Sequence, residues 1–198
     1  MEPFEDDLLR AQDVLQAEAS AVEADLALTQ LLHSVGQPVR VGSSALGLMV
    51  WRDLDITVIC PTLQCELVAA IGAQLAVHPR VRQVLFRNDT EIWNTDPSYP
   101  DGLYLGLKYR TLDDGDWKVD IWFVDQPERQ PDLTHLRTMP AQLTPDRRKS
   151  ILLIKSAWAA RPEYGTTVGS FDIYSAVLNH NVRTTKEFDQ WLDRRSAP

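Results

Sequence analysis

The sequence predicts an α+β protein: a mixed β-sheet flanked by helices, with the two ends of the chain forming a helical lobe. Three observations lead there. Residues 4–32 carry apolar side chains at helical spacing with no Gly or Pro among them. Residues 81–124 hold alternating apolar runs separated by turn signals. From Pro145 onward the helical period returns.

Taken in order, Phe4, Leu8, Leu15, Val22, Leu26 and Leu32 predict one long amphipathic helix that stops near Gly36 and Pro38, with a break near Ser20 as the alternative. A short strand from Pro38 to Val41 leads into the turn Gly-Ser-Ser-Ala-Leu-Gly and a helical segment to Val50. Residues 53–60 read as a strand closed by Pro61, Leu63 to Val77 as a helix, and Val81 to Arg87 as a strand. Pro97 and Pro100 mark Asn88 to Asp101 as a loop. Leu103–Arg110 and Trp117–Val124 follow as a hairpin, because the Asp-Gly of Asp113-Asp114-Gly115-Asp116 suits a tight turn. The proline-rich stretch from Gln126 to Pro145 reads as a linker, followed by helices near 145–160, 170–180 and 184–195, with Thr144 and Thr184 as N-caps. Residues 37–128 then form the sheet lobe, and residues 1–36 with 129–198 the helical lobe.

Composition narrows the function. The chain has 198 residues, 44% of them hydrophobic, and a net charge of −8. That charge argues against general nucleic-acid binding, which depends on Lys and Arg neutralising phosphates. It tilts the expected partner towards a small or cationic molecule, although Arg147, Arg148, Lys149 and Lys155 can make a local basic patch. The longest apolar run, Leu67 to Ile71, is like Ile151 to Ile154 far too short for a membrane span. The N-terminus has acidic residues where a targeting segment has basic and apolar ones, so the expected location is cytoplasmic. Cys60 and Cys65 are too few for a disulfide framework, and the four histidines are scattered, so any metal is expected on oxygen ligands. The oligomeric state is not legible.

The chemistry concentrates in one block. Asp53 and Asp55, two apart in a strand, point to one face while Leu54 and Ile56 point to the other. Two crowded carboxylates repel each other unless a divalent cation is bound; a solvated strand edge is the alternative. Gly42 and Ser43, about ten residues upstream, let a backbone approach phosphates and open a helix whose free N–H groups attract anions. Asp120 lies mid-strand in Val-Asp-Ile-Trp-Phe-Val, where an acid is costly without a ligand or a cross-hairpin salt bridge to Lys108 or Arg110.

Together VGSSALGLMVWRDLDITVI and KVDIWFV resemble the signature of the DNA polymerase β-like nucleotidyltransferase superfamily, across residues 38–124. ILLIKSAWAARPEYGTTVGSFDIYSAVL is similar to the helical part of its poly(A) polymerase and oligoadenylate synthetase branch. The resemblance implies a nucleotidyltransferase fold and transfer of a nucleoside monophosphate from an NTP to a hydroxyl acceptor, a small molecule such as an antibiotic or a protein or RNA end, with release of pyrophosphate. It implies Mg²⁺ or Mn²⁺ on Asp53, Asp55 and Asp120, and phosphate contacts from Gly42, Ser43, Lys155 and Ser170. Without that role Lys155 reads as an exposed helix residue and Ser170 as an N-cap. A protein that keeps the fold and binds nucleotide without turnover is the alternative to an enzyme. The base and the acceptor are not specified by any residue.

Overall fold

The computed structural model describes residues 3–113 and 115–196, with side chains from Asp7 to Arg195. Expectations that drew on Met1, Glu2, Asp114 or the Phe4, Glu5 and Asp6 side chains lie outside the described residues.

The helical N-terminus is two helices, not one: α1 (Pro3–Asp25) and α2 (Leu28–Leu32), joined through Ala27 in the left-handed region at φ 48°. The break lies beyond Ser20 and has a packing cause. Leu26 and Leu28 are both buried, yet residues two apart on a continuous helix point to nearly opposite sides. Turning the chain at Ala27 sends both inward.

Strands β1 (Gln37–Val41), β2 (Asp53–Ile59), β3 (Val81–Asp89), β4 (Gly102–Arg110) and β5 (Asp116–Val124) form one mixed sheet in the order β1-β2-β5-β4-β3. Only β2 and β5 are parallel, and the expected hairpin is the antiparallel pair β4–β5. One face of the sheet is apolar. Leu54, Ile56, Leu105 and Ile121 on that face pack with Val22 and Leu28 and with Val68 and Ile71 of α4 (Cys65–Ala76). The opposite face stays open and carries the acidic residues.

After β1 the chain turns at once into the short helix α3 (Gly42–Leu46). Gly42 has φ +62° and Gly47 φ +66°, conformations that favour glycine at both ends of this helix. The stretch expected to be a linker contains a helix, α5 (Pro131–Thr138). Pro131 occupies its first turn, where a missing N–H costs nothing, so the proline starts a helix instead of breaking one. Helices α6 (Pro145–Trp158), α7 (Ser170–His180) and α8 (Thr185–Ser196) complete the fold. Thr144 accepts from the Arg147 N–H and Thr184 from the Glu187 N–H, as N-caps do. For α7 the N-cap is Gly169, whose N–H donates to Asp172, so Ser170 is not the cap.

A second core joins Leu46 and Leu48 to Ile151 and Ile154 of α6, Ile173 of α7 and Phe188 of α8. α1 touches both regions: Ala19 and Val22 pack with the sheet, and the Gln16 amide donates to the Ser44 carbonyl of α3. Among the described residues no helix is long and apolar enough to cross a membrane.

Candidate functional site

The parallel pairing of β2 with β5 sets Asp55 in register with Asp120 and Asp53 with Lys118. Because side chains alternate, Asp53, Asp55 and Asp120 share the open face, and one carboxylate oxygen from each lies within 4.8 Å of the other two. Antiparallel pairing places Val41 opposite Asp55, so the next residue, Gly42, passes directly over that carboxylate. A Cβ at Gly42 would come within 2.3 Å of Asp55 Oδ2. Glycine is thus needed twice here, for its positive φ and for the close approach.

These groups line a cleft of about 640 Å³ between the sheet and the C-terminal helices, with Ser43 and Ser170 among its walls. Ser43 is almost buried and opens α3. The Ser170 hydroxyl hydrogen-bonds with that of Tyr164, at 2.6 Å. Phe171, more than half exposed, stacks on His135 at 4.6 Å on the same wall. Asp132, at the start of α5, is a fourth acid facing the cleft, and burial raises its pKa.

Lys155 does not line the cleft. It is fully buried in α6, where its ammonium donates to the Leu48 carbonyl (2.8 Å) and the Tyr174 hydroxyl (3.1 Å). It also sits 5.1 Å from the centre of the Trp51 ring. Burial pulls its pKa down to about 7, against the opposing pull of Asp55 and Asp53 nearby. The alternative of a solvated helix lysine is therefore excluded.

Electrostatics separate the three acids. Burial, then the charges of Asp53 and Asp120, push Asp55 well above the ordinary carboxylate range. Burial also raises Asp53, whose Oδ1 is enclosed without a hydrogen-bond partner while Oδ2 takes a long bond from the Trp51 indole, 3.4 Å. Asp120 is held on both oxygens, by the Tyr104 hydroxyl at 2.7 Å and the Lys118 ammonium at 2.5 Å. The alternative for Asp120, a salt bridge across the hairpin to Lys108 or Arg110, is not formed among the described residues: Arg110 pairs with Asp116, and the partner of Asp120 is Lys118, two residues earlier on the same strand and face.

The donor set fits a divalent cation. An orphaned, buried carboxylate oxygen on Asp53, three converging carboxylates and raised acid pKa values are costs that a hard cation on oxygen ligands relieves.

Sequence reasoning missed Tyr104 and Lys118. The Tyr104 ring lies along Gly106, where a Cβ would come within 2.4 Å of its hydroxyl. Gly106 is the register partner of Asp120, so Tyr-x-Gly opposite the acid was the available signal.

No known family profile matches the chain, and no curated protein sequence is significantly similar to it. Solved structures do match. The Cid1 poly(U) polymerase with MgGTP bound superposes with a TM-score of 0.60 at 18% identity, over 89% of this chain and 55% of that one. A mutant of the same polymerase bound to MgATP gives 0.64 at 16% identity, over 91% and 56%. A cytoplasmic RNA terminal U-transferase gives 0.57 at 16% identity, over 89% and 51%. The chain spans about half the length of the structures it matches and has their nucleotidyltransferase fold.

Proposed function

We propose that this protein transfers a nucleoside monophosphate from an NTP to a hydroxyl acceptor and releases pyrophosphate. The observation that carries the reading is the convergence of Asp53, Asp55 and Asp120 in one cleft beside Gly42 and Ser43. The fold shared with polymerases described as bound to MgGTP and MgATP supports it.

In this reading Asp53, Asp55 and Asp120 hold Mg²⁺ or Mn²⁺, which supplies charge neutralisation on the triphosphate and activation of the acceptor hydroxyl. Gly42, lacking a side chain, leaves room for phosphate oxygens, and the Ser43 hydroxyl donates to them. Ser170 donates from the opposite wall. Phe171, flat and exposed, offers a stacking surface to a planar base. Lys155 belongs to the phosphate side as a buried cation. To touch a phosphate directly it would have to release Leu48 and Tyr174, so in the closed fold it acts through its charge behind Asp53 and Asp55. Asp120, oriented by Tyr104 and Lys118, is placed to accept the proton of the acceptor hydroxyl. Tyr104 and Lys118 are positioning residues in this scheme. The sheet lobe, residues 37–128, supplies the acids; of the proposed helical lobe, residues 129–198 wall the cleft, while residues 1–36 pack on the other face of the sheet.

Thermal unfolding tests the nucleotide site. Each of the four NTPs is added with Mg²⁺ or Mn²⁺ to the wild type and to Asp53→Asn. Binding to the native state alone adds about 2.7 kcal/mol at a hundredfold excess over Kd. At least one NTP is expected to raise the wild-type melting temperature by several degrees, only with metal, and to leave Asp53→Asn unmoved. No NTP-dependent shift in the wild type would contradict the reading.

A further inference from the structure

Beside the three acids, on the same open face, one row of large side chains crosses three strands. Arg87 of β3 is the register partner of Tyr104 on β4, and Tyr104 that of Trp122 on β5. The row next to it holds Leu85, Gly106 and Asp120. Gly106 has no side chain, and the Tyr104 ring lies in the space this leaves, with its hydroxyl donating to Asp120 at 2.7 Å. On the other side of Tyr104, Gly102 makes room for Trp122: a Cβ there would meet the indole at 3.2 Å. The two ring centres are 5.0 Å apart.

Arg87 completes the row. Its guanidinium carbon lies 4.9 Å from the centre of the Tyr104 ring and 5.2 Å from that of Trp122, within cation–π range. Its Nε donates to both carboxylate oxygens of Asp89, at 3.0 and 2.8 Å, so the guanidinium is fixed as well as stacked. β3 is the edge strand and the Arg87 side chain is half exposed. An ion pair in such a place adds little to stability. What the arrangement does is restrict Tyr104. Strand side chains commonly take either of two χ1 values. Trp122 fills the Gly102 side and Arg87 caps the ring, which leaves the orientation over Gly106, with the hydroxyl on Asp120. Burial and the bond to Asp120 raise the Tyr104 pKa against a pull from Arg87, so the hydroxyl stays a donor. Arg87, Asp89 and Trp122 lie outside the walls of the acidic cleft, so their contact with the reacting groups passes through Tyr104.

We propose that Arg87 is a positioning residue for the transfer reaction: anchored by Asp89 and stacked on Tyr104 and Trp122, it holds the Tyr104 hydroxyl against Asp120. This rests on the nucleotidyltransferase reading and extends its machinery from the cleft to the edge strand.

A double-mutant cycle tests it, because residues acting through one another are not additive. Pyrophosphate release is measured for the wild type, Arg87→Met, Tyr104→Phe and the double variant. Each receives the four NTPs with Mg²⁺ or Mn²⁺ and a pool of oligonucleotides and small hydroxyl compounds. Arg87→Met is expected to lower kcat about tenfold to a hundredfold, since a misplacement of about 1 Å can cost about a hundredfold. KM for the NTP, and NTP-dependent thermal stabilisation, should change less than about twofold, as for an interaction that matters only in the transition state. In the Tyr104→Phe background the same substitution should change kcat less than about twofold, because no hydroxyl remains to be held. Asp89→Asn, which frees Arg87 without removing it, should give a smaller loss that also vanishes in that background. It carries the test if Arg87→Met does not fold. A kcat unchanged in Arg87→Met would overturn the proposal, as would an equal loss with and without the Tyr104 hydroxyl, which marks a general effect on the fold. Release by the wild type with either result sinks the role of Arg87 alone. No release by the wild type with any NTP sinks the transferase reading, and the role of Arg87 falls with it.

Discussion

Asp55 concentrates the tension of the site in one side chain. It is buried, it faces Asp53 and Asp120, and Gly42 presses on it from above. Its raised pKa has a definite consequence for stability. The native state binds a proton that the unfolded state has already lost, so the metal-free protein loses stability as pH climbs from the ordinary Asp value, about 3.9, through the raised one. Below the ordinary value both states are protonated and the penalty vanishes. Asp55→Asn removes the titration. Without metal, this variant is therefore expected to melt higher than the wild type near neutral pH, with the gap closing as pH falls towards 4. Melting curves with EDTA across that range check it, and a variant that melts lower at neutral pH would mark Asp55 as a structural partner instead. At this scale the sequence was informative because an acid in an apolar strand has few inexpensive environments. Lys155 was not legible: the sequence offered a solvated lysine or a cleft lysine, and the third possibility, burial with two internal acceptors, depends on where α7 brings Tyr174.

The elements show a different limit. Strands were read to within a residue or two because alternation and the Asp-Gly turn are local signals. The break at Ala27 and the helix α5 were not read, since each is decided by burial against partners far along the chain. Helix α3 also depends on a distant element. It has five residues and no side-chain N-cap. Its C-terminal end is held by Arg148 of α6, whose guanidinium donates to the Leu46 and Gly47 carbonyls at 2.9 and 2.7 Å. Arg148 was expected only as part of a basic patch. Arg148→Ala is predicted to cost about 1.5–3 kcal/mol, the range for hydrogen bonds to a charged group. It should also weaken metal-dependent NTP stabilisation, because α3 carries Gly42 and Ser43. Urea unfolding with and without NTP measures both effects, and a loss below about 0.5 kcal/mol, typical of surface positions, would contradict this role.

At the scale of the whole molecule, net charge hides a local arrangement. A net charge of −8 averages over a surface on which Arg82, Lys108 and Lys118 share one groove. The acids were found from the sequence because their spacing is local. The groove could not be, because it draws on β3, β4 and β5 and exists only once the sheet is assembled. The division of the molecule has the same character: α1 and α2 share the core of the sheet, while α3 joins the helices α6 to α8. The cleft lies between those two cores, where a substrate would touch both. The measurement that tests the central claim most directly is pyrophosphate release. Wild type and Asp120→Asn are incubated with each NTP, Mg²⁺ or Mn²⁺, and single-stranded oligonucleotides pooled with small hydroxyl compounds. The account predicts metal-dependent release by the wild type with at least one NTP, and a loss of at least a hundredfold in Asp120→Asn, in line with removal of a general base. Release that is equal in the two proteins would contradict it.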